Sequence, residues 1–110
     1  MKSLKGFKEV FIEGQLKLSI VDFSDELFVS ADVAAIPWCY NVDYEISVDK
    51  VRLVYKFMEI PEIGKVEVVG SNIGESIKVI NIKYSVKDAD SAINTYYKVI
   101  KYIVDYCNTR

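Results

Sequence analysis

Apolar and polar residues alternate along most of this chain with a period of two, as in a β-strand. The segment NVDYEISVD is the most regular example, because Val42, Tyr44, Ile46 and Val48 are each followed by an acidic or serine residue. Such alternation is typical of an antiparallel strand with one face buried and the other in water. We therefore expect a half-buried strand over 42–48.

Further segments with the same period are predicted as strands: QLKLSIVDF, LFVSADVAAI, KVEVVG and SIKVINIKYSV. PEIG at 61–64 breaks the pattern, and SNIGE at 71–75 is predicted as a hairpin loop. VRLVYKFM is compatible with a helix, but its odd-numbered positions over 51–57 are all apolar and many of its residues are β-branched or aromatic. Both features favour a strand.

The last predicted strand contains a change of phase. Its apolar positions are Ile77 and Val79, after which they continue one residue out of step at Ile80 and Ile82. A slip of one residue turns the apolar side chains to the other face of a sheet, unless the strand bulges. The pattern therefore predicts a β-bulge near Val79–Ile80 and a bent strand.

The period changes to that of a helix at the C-terminal end, predicted over 88–108 with Asp88 as its N-cap. Eleven of the sixteen residues at 92–107 are apolar or tyrosine, and four of the five polar ones fall in one narrow stripe. A surface helix needs an apolar arc of only about 100°. Exposing Ile93, Ile100 and Val104 would forgo about 1.5–3 kcal/mol each, so we expect these flanks to be covered.

Three arrangements would cover this helix: a strongly curved sheet, a neighbouring subunit, or a cavity that holds an apolar ligand. The segment IPWCY at 36–40 contains the only tryptophan, which is expected either to plug the end of the core or to close a pocket or anchor a partner. The predicted ligand-binding or interface residues are Trp38, Ile93, Tyr96, Tyr97, Ile100, Ile103 and Val104.

The order of elements predicts one α+β domain over residues 1–110, a length that suits a single domain. The fold class is a curved, mostly antiparallel β-sheet of five to seven strands packed around one long C-terminal helix. Residues 1–10 are expected to form a loose arm or an additional edge strand.

Charge and composition exclude several functions. The net charge is −2 with no basic bias, which argues against nucleic acid as a partner. The chain lacks histidine, the commonest general base and metal ligand, so we expect no catalysis, no cofactor and no metal. Cys39 and Cys107 are expected to be reduced thiols, with a disulfide as the less favoured alternative. No membrane span is expected, the predicted location is cytoplasmic, and the composition suits a thermophile.

The order of strands and the ending IKVINIKYSVKDADSAINTYYKVIKYI resemble the START and Bet v 1-like helix-grip superfamily, also called SRPBCC. That resemblance covers roughly residues 14–108 and implies a cavity for a lipid, steroid or other apolar molecule between sheet and helix. If 48–60 were a helix, residues 42–108 would look like the small dimerising subunit of the KEOPS tRNA-modification complex, which implies assembly.

Two functions therefore remain open from the sequence. One is a non-catalytic binding module that holds a small apolar ligand between the curved sheet and the C-terminal helix. The other is an interaction subunit that forms a homodimer or joins a larger complex through helix or strand surfaces.

Overall fold

A computed structural model describes residues 4–12, 16–23 and 26–109, with side chains at 18–21, 26–33 and 36–109. Seven strands are followed by a short 3₁₀ turn, Ala89–Ser91, and one helix. The elements are β1 (Leu4–Ile12), β2 (Leu16–Phe23), β3 (Glu26–Pro37), β4 (Tyr44–Val48), β5 (Val51–Ile60), β6 (Gly64–Ile73), β7 (Ser76–Val86) and α1 (Ala92–Asn108). β5 is a strand, so the helical alternative for 48–60 is wrong.

The strands form one curved, open sheet in the order β1-β2-β3-β7-β6-β5-β4, and every neighbouring pair is antiparallel. The predicted fold class, an α+β domain with a C-terminal helix, is confirmed. β1 lies at one edge of the described sheet and β4 lies at the other. The helix packs on one face, which we call the inner face.

The predicted β-bulge is present in β7. Val69 pairs with Asn81 and Gly70 pairs with Val79, which leaves Ile80 without a partner in β6. The register also shifts on the other side of β7, where three residues of β3 between Asp32 and Ile36 stand opposite Ile80 alone. Irregularities facing each other on adjacent strands bend the sheet at one level, and this bend curves the sheet towards the helix.

The helix buries the stripe opposite its polar residues. Asp88 accepts a hydrogen bond from the backbone N–H of Ser91 at 3.0 Å and so caps the 3₁₀ turn. The buried helix residues are Ala92, Tyr96, Val99 and Ile103. They join a single cluster with buried side chains from the sheet: Leu18, Ile20, Val29, Ala31, Met58, Ile60, Val66, Val68, Val79, Ile82 and Tyr84.

Two buried tyrosines anchor the helix to the rest of the chain. The Tyr84 hydroxyl donates to the Ala92 carbonyl at 2.8 Å, and the Tyr40 hydroxyl donates to the Ile103 carbonyl at 3.0 Å. Burial, with a smaller contribution from Tyr106, raises the pKa of Tyr40 to about 12. Burial also raises the pKa of Tyr84. Both hydroxyls are therefore held in the protonated, donating form.

The expectation of two reduced thiols is wrong, because Cys39 and Cys107 form a disulfide. Their Cα atoms lie 5.5 Å apart across a sequence separation of 68 residues. Sequence spacing gave no sign of this pair, since the contact depends on how the segment after β3 folds back over the last turn of α1. The bond ties that turn to residues 38–40.

The loop between β6 and β7 is shorter than predicted. β6 continues through Ile73 and β7 begins at Ser76, so only Gly74 and Glu75 form the turn. Gly74 has a φ of 63°, a conformation that glycine adopts without strain. The polar residues of SNIGE therefore extend the strand and do not interrupt it.

Candidate interaction surface

The structure places the predicted helix residues at the inner face of the sheet, with one exception. Tyr96 and Ile103 are buried, and Ile93 and Ile100 are partly buried against the core cluster. Val104 has intermediate burial. Tyr97, in contrast, leaves 47% of its surface in solvent. The aliphatic flank of the helix is therefore covered to a large extent within the chain.

Trp38 lies over Gly70 of β6 at the end of the core. A Cβ atom on Gly70 would come within 2.6 Å of the indole ring, so only glycine fits at this position. The indole N–H donates to the Tyr40 carbonyl at 2.8 Å, and the Trp38 and Tyr40 rings meet edge to face at 5.3 Å between centroids. Trp38 thus occupies the position of a plug, with Tyr40 between it and the helix.

Two concave regions lie outside the packed core. One, of about 450 Å³, is at the mouth between sheet and helix and is lined largely by polar groups, including Glu26, Glu62, Lys87 and Lys98. The other, of about 640 Å³, is a groove on the outer face between Phe28 and Phe57. Neither region lies between the buried side chains of the sheet and those of the helix.

The strand expected over 42–48 is present as β4, Tyr44–Val48, but the expectation that it is half-buried is wrong. Every residue of β4 is exposed, including Tyr44, Ile46 and Val48. The helix approaches β2 and β3 and donates no side chain to the core near β4. Because β4 is four strands beyond β3 in the sheet, it lies roughly 19 Å from the nearer of the two strands that the helix approaches. A single helix does not reach that far.

β5 turns its more regular apolar face away from the helix. Its buried residues are Val54, Met58 and Ile60, whereas the apolar odd-numbered positions over 51–57 are exposed or half-buried. These odd-numbered positions pair with β4 in register: Tyr55 with Tyr44, Leu53 with Ile46 and Val51 with Val48. The two strands therefore present one continuous apolar surface on the outer side of the sheet.

We call this surface the ribbon patch. Its members share the outer face at the β4 end of the sheet: Tyr44, Ile46, Val48, Val51, Leu53, Tyr55 and Ile73. Val48 is 66% exposed and Tyr44 is 55% exposed, and the Tyr44 and Tyr55 rings lie 5.7 Å apart between centroids. The patch exposes on the order of 500 Å² of mostly apolar surface, a size at which patches on single chains are often functional.

Polar contacts on the other side hold the β4–β5 ribbon in shape. Arg52 forms an ion pair with Glu45 at 2.7 Å, and the Ser47 hydroxyl donates to the same carboxylate at 3.2 Å. The hydrogen bond from Arg52 holds the pKa of Glu45 below its usual value. The Asn72 side chain accepts from the Arg52 backbone N–H and donates to the Lys50 carbonyl, each at 2.8 Å. Asn72 thereby joins the ribbon tip to β6.

The base of the ribbon is fixed by Asp43. Its carboxylate accepts from the backbone N–H of Phe57 at 2.9 Å and lies 3.4 Å from the Lys56 ammonium. The Phe57 hydrogen bond, with a smaller contribution from Lys56, lowers the pKa of Asp43. Asp43 and Glu45 are thus neutralised within the chain, and the ribbon patch itself carries no formal charge.

None of the site residues predicted from the sequence lies in the ribbon patch. A signal was present in β5, where Val54, Met58 and Ile60 are apolar on the face opposite the odd-numbered residues. A strand that is apolar on both faces needs cover on both faces. β5 is apolar on both faces, and the neighbouring β4 segment is apolar on one face only. This combination was therefore the signal in the sequence for an exposed apolar surface.

A scan against protein-family models and searches of curated proteins and of solved structures find no match to this chain. The helix-grip resemblance therefore rests on the order of elements alone. Within the part of the chain that the structure describes, no helix is long and apolar enough to cross a membrane. No group of three or more potential metal ligands occurs among those residues either.

Proposed function

We propose that this protein is a non-catalytic interaction subunit that self-associates through the ribbon patch. The observation that supports the proposal is the exposed apolar row of β4, Tyr44, Ile46 and Val48, at one edge of the described sheet. Unpaired edge strands with an apolar face are the surfaces on which other chains add to a sheet.

The size of the patch fits a modest interface. A standard protein–protein interface buries about 800 Å² per partner, with an apolar centre and a polar rim. The ribbon patch exposes on the order of 500 Å², of which pairing along the β4 edge covers only the β4 part. Polar side chains border it, including Ser71 of β6, which pairs with Leu53. We therefore expect a dimer with a dissociation constant in the micromolar range.

The absence of charge in the patch favours a second copy as the partner. Two copies that meet through this surface bring no like charges together at its centre, because Asp43 and Glu45 are paired with Lys56 and Arg52 on the opposite side. Like charges facing one another would oppose association, so their absence makes the surface compatible with itself.

The predicted site for an apolar ligand between sheet and helix stays a prediction. The described side chains there are closely packed, with Val99 and Ile103 fully buried. The concave region at the mouth is lined by polar groups, which is not the lining that an apolar ligand requires. These observations support our choice of self-association over ligand binding as the proposal.

A cytoplasmic location remains part of the proposal. The Cys39–Cys107 disulfide bears on it, because cytosolic disulfides are rare in mesophiles and common in hyperthermophiles. A cytoplasmic protein with this bond therefore agrees with the thermophilic source that the composition suggests.

The proposal is tested by light scattering across a concentration series. We expect the mass to rise from the 12.6 kDa of one chain to twice that value between about 1 μM and 1 mM. Ile46→Lys places a charge in the centre of the patch and should keep the protein monomeric over the same range.

Phe28→Lys is the matched control, because Phe28 is also an exposed apolar residue on the outer face but lies outside the ribbon patch. It should dimerise like the wild type. A wild-type protein that stays at 12.6 kDa throughout would contradict the proposal. Equal loss of association in both variants would also contradict it, since that result assigns the association to general stickiness of the outer face.

A further inference from the structure

The open edge of β4 has a defined hydrogen-bonding pattern. The Arg52 backbone N–H donates to Asn72 on the β6 side, so the backbone groups of Val51 and Leu53 face β4. Val51 and Leu53 pair with Val48 and Ile46. By the alternation of an antiparallel ladder, the backbone groups of Ile46 face β5, and those of its neighbours Glu45 and Ser47 face the open edge.

We propose that two copies pair β4 with β4 across a two-fold axis at Ile46, so that the two sheets become one continuous sheet. This inference rests on the proposed self-association and adds its geometry. In that pairing Glu45 of each copy exchanges backbone hydrogen bonds with Ser47 of the other. Ile46 then lies opposite its own copy, and Tyr44 lies opposite Val48.

The length of strand that is paired selects this register among the antiparallel alternatives. Residues that stand opposite each other across the β4–β4 pair must lie on the same face of the sheet. Alternative registers therefore place the two-fold axis at successive residues of β4, and each such move shifts one strand by two residues along the other. An axis at Glu45 places two Glu45 carboxylates opposite each other. An axis at Tyr44 places Glu45 opposite Asp43, and an axis at Ser47 places Glu45 opposite Asp49. The Ile46 axis pairs all five residues of β4, whereas an axis at Glu45 or Ser47 pairs only three of them and an axis at Tyr44 pairs one.

The Ile46 axis keeps one like-charge pair at each end, between Asp43 and the other copy's Asp49. Asp43 is already neutralised by Lys56 at 3.4 Å, which reduces the repulsion. Asp49 has a φ of 56° in the ribbon turn, where asparagine is equally tolerated. Asp49→Asn therefore removes this repulsion from two sites per dimer without straining the turn.

Disulfide cross-linking tests the geometry. Ile46 and its own copy form a non-hydrogen-bonded pair with Cα atoms about 4.5 Å apart, which suits a disulfide. Ile46→Cys should therefore cross-link under mild oxidation of the dimer, with the Cys39–Cys107 bond left intact. Tyr44→Cys and Val48→Cys are matched controls. Each would lie about 13 Å from its own copy and should not cross-link.

The outcomes separate this inference from the proposed function. Cross-linking at 46 alone, with dimer formation tightened roughly two- to tenfold by Asp49→Asn at low salt, supports the Ile46 axis. A dimer that forms but cross-links at 44 or 48, or at none of the three positions, overturns this inference and leaves self-association standing. A wild-type protein that remains monomeric overturns both and assigns the patch to a different protein.

Discussion

Two regions of the sheet follow the same sequence pattern with opposite results. One is the set of strands that pack against the helix, and the other is the β4–β5 ribbon. In β2, β3 and β7, alternate apolar side chains meet the helix and are fully buried, as Leu18, Val29 and Ile82 show. In β4 the alternation is at least as regular, yet Ile46 and Val48 are exposed. The comparison teaches that alternation specifies a strand and its two faces. Whether the apolar face is buried depends on which other element the fold places against it.

The two regions also differ in how they are held. The helix is attached by buried packing, by hydrogen bonds from Tyr40 and Tyr84, and by the Cys39–Cys107 disulfide. The ribbon is held by exposed polar contacts around Arg52 and Asn72. Substitutions in the first region should therefore change the stability of the whole domain. Substitutions in the ribbon patch should change association.

The largest expected effect is loss of the disulfide. Replacing Cys39 and Cys107 by alanine opens a loop of 68 residues and should lower the free energy of unfolding by about 4 kcal/mol. Urea denaturation of the double variant measures this loss. The wild type unfolded in the presence of a dithiol reductant is the control and should give a similar value. A loss below about 1 kcal/mol would show that the bond contributes little to holding the helix.

Ile103→Ala should have the next largest effect. Ile103 is fully buried between the helix and the sheet, so its truncation leaves a cavity and should cost about 3 kcal/mol. Its backbone carbonyl still accepts from Tyr40, which keeps that contact intact. Thermal and urea unfolding of the variant give the value. A cost near zero would mean that the helix is not part of the cooperative core.

High pH should lower the free energy of unfolding through the same region, where the helix is attached to the rest of the chain. Tyrosine in an unfolded chain ionises near pH 10, whereas the pKa of Tyr40 is about 12 in the folded protein. The protonated Tyr40 hydroxyl therefore contributes fully to the free energy of unfolding below pH 10. This contribution, about 2 kcal/mol, is lost as the pH rises towards 12. Tyr84 acts in the same direction.

Urea unfolding at several pH values between 9 and 12 measures this loss. Tyr40→Phe should flatten the pH dependence, although it lowers stability at pH 9 through the missing hydrogen bond to Ile103. An unchanged slope in that variant would assign the alkaline loss to other groups.

The smallest effect on stability is expected in the ribbon. Ile46→Thr keeps a β-branched side chain at an exposed position, so the free energy of unfolding should change by less than about 0.5 kcal/mol. The measurement requires a concentration low enough for the protein to be monomeric, since dimer formation adds apparent stability. A cost comparable with that of Ile103→Ala would place Ile46 in the core and remove the contrast between the regions.

The sequence was informative where local pattern and tertiary cover agree. The phase slip at Val79–Ile80 predicted the bulge, and the apolar excess of 92–107 predicted a helix against a curved sheet. It failed where the outcome depended on distance across the sheet. Nothing local to Tyr44 or Ile46 indicates that the helix lies on β2, β3 and β7. The Cys39–Cys107 bond likewise depends on a chain crossing that spacing does not encode.

Amide hydrogen exchange followed as a function of protein concentration tests the central claim most directly. We expect the Glu45 and Ser47 amides to exchange quickly in dilute solution and to become protected as the concentration rises through the micromolar range. The amides of buried β6 and β7 residues such as Val68 and Ile82 should stay protected throughout. Fast exchange at Glu45 and Ser47 at every concentration would contradict an interaction surface formed by this strand.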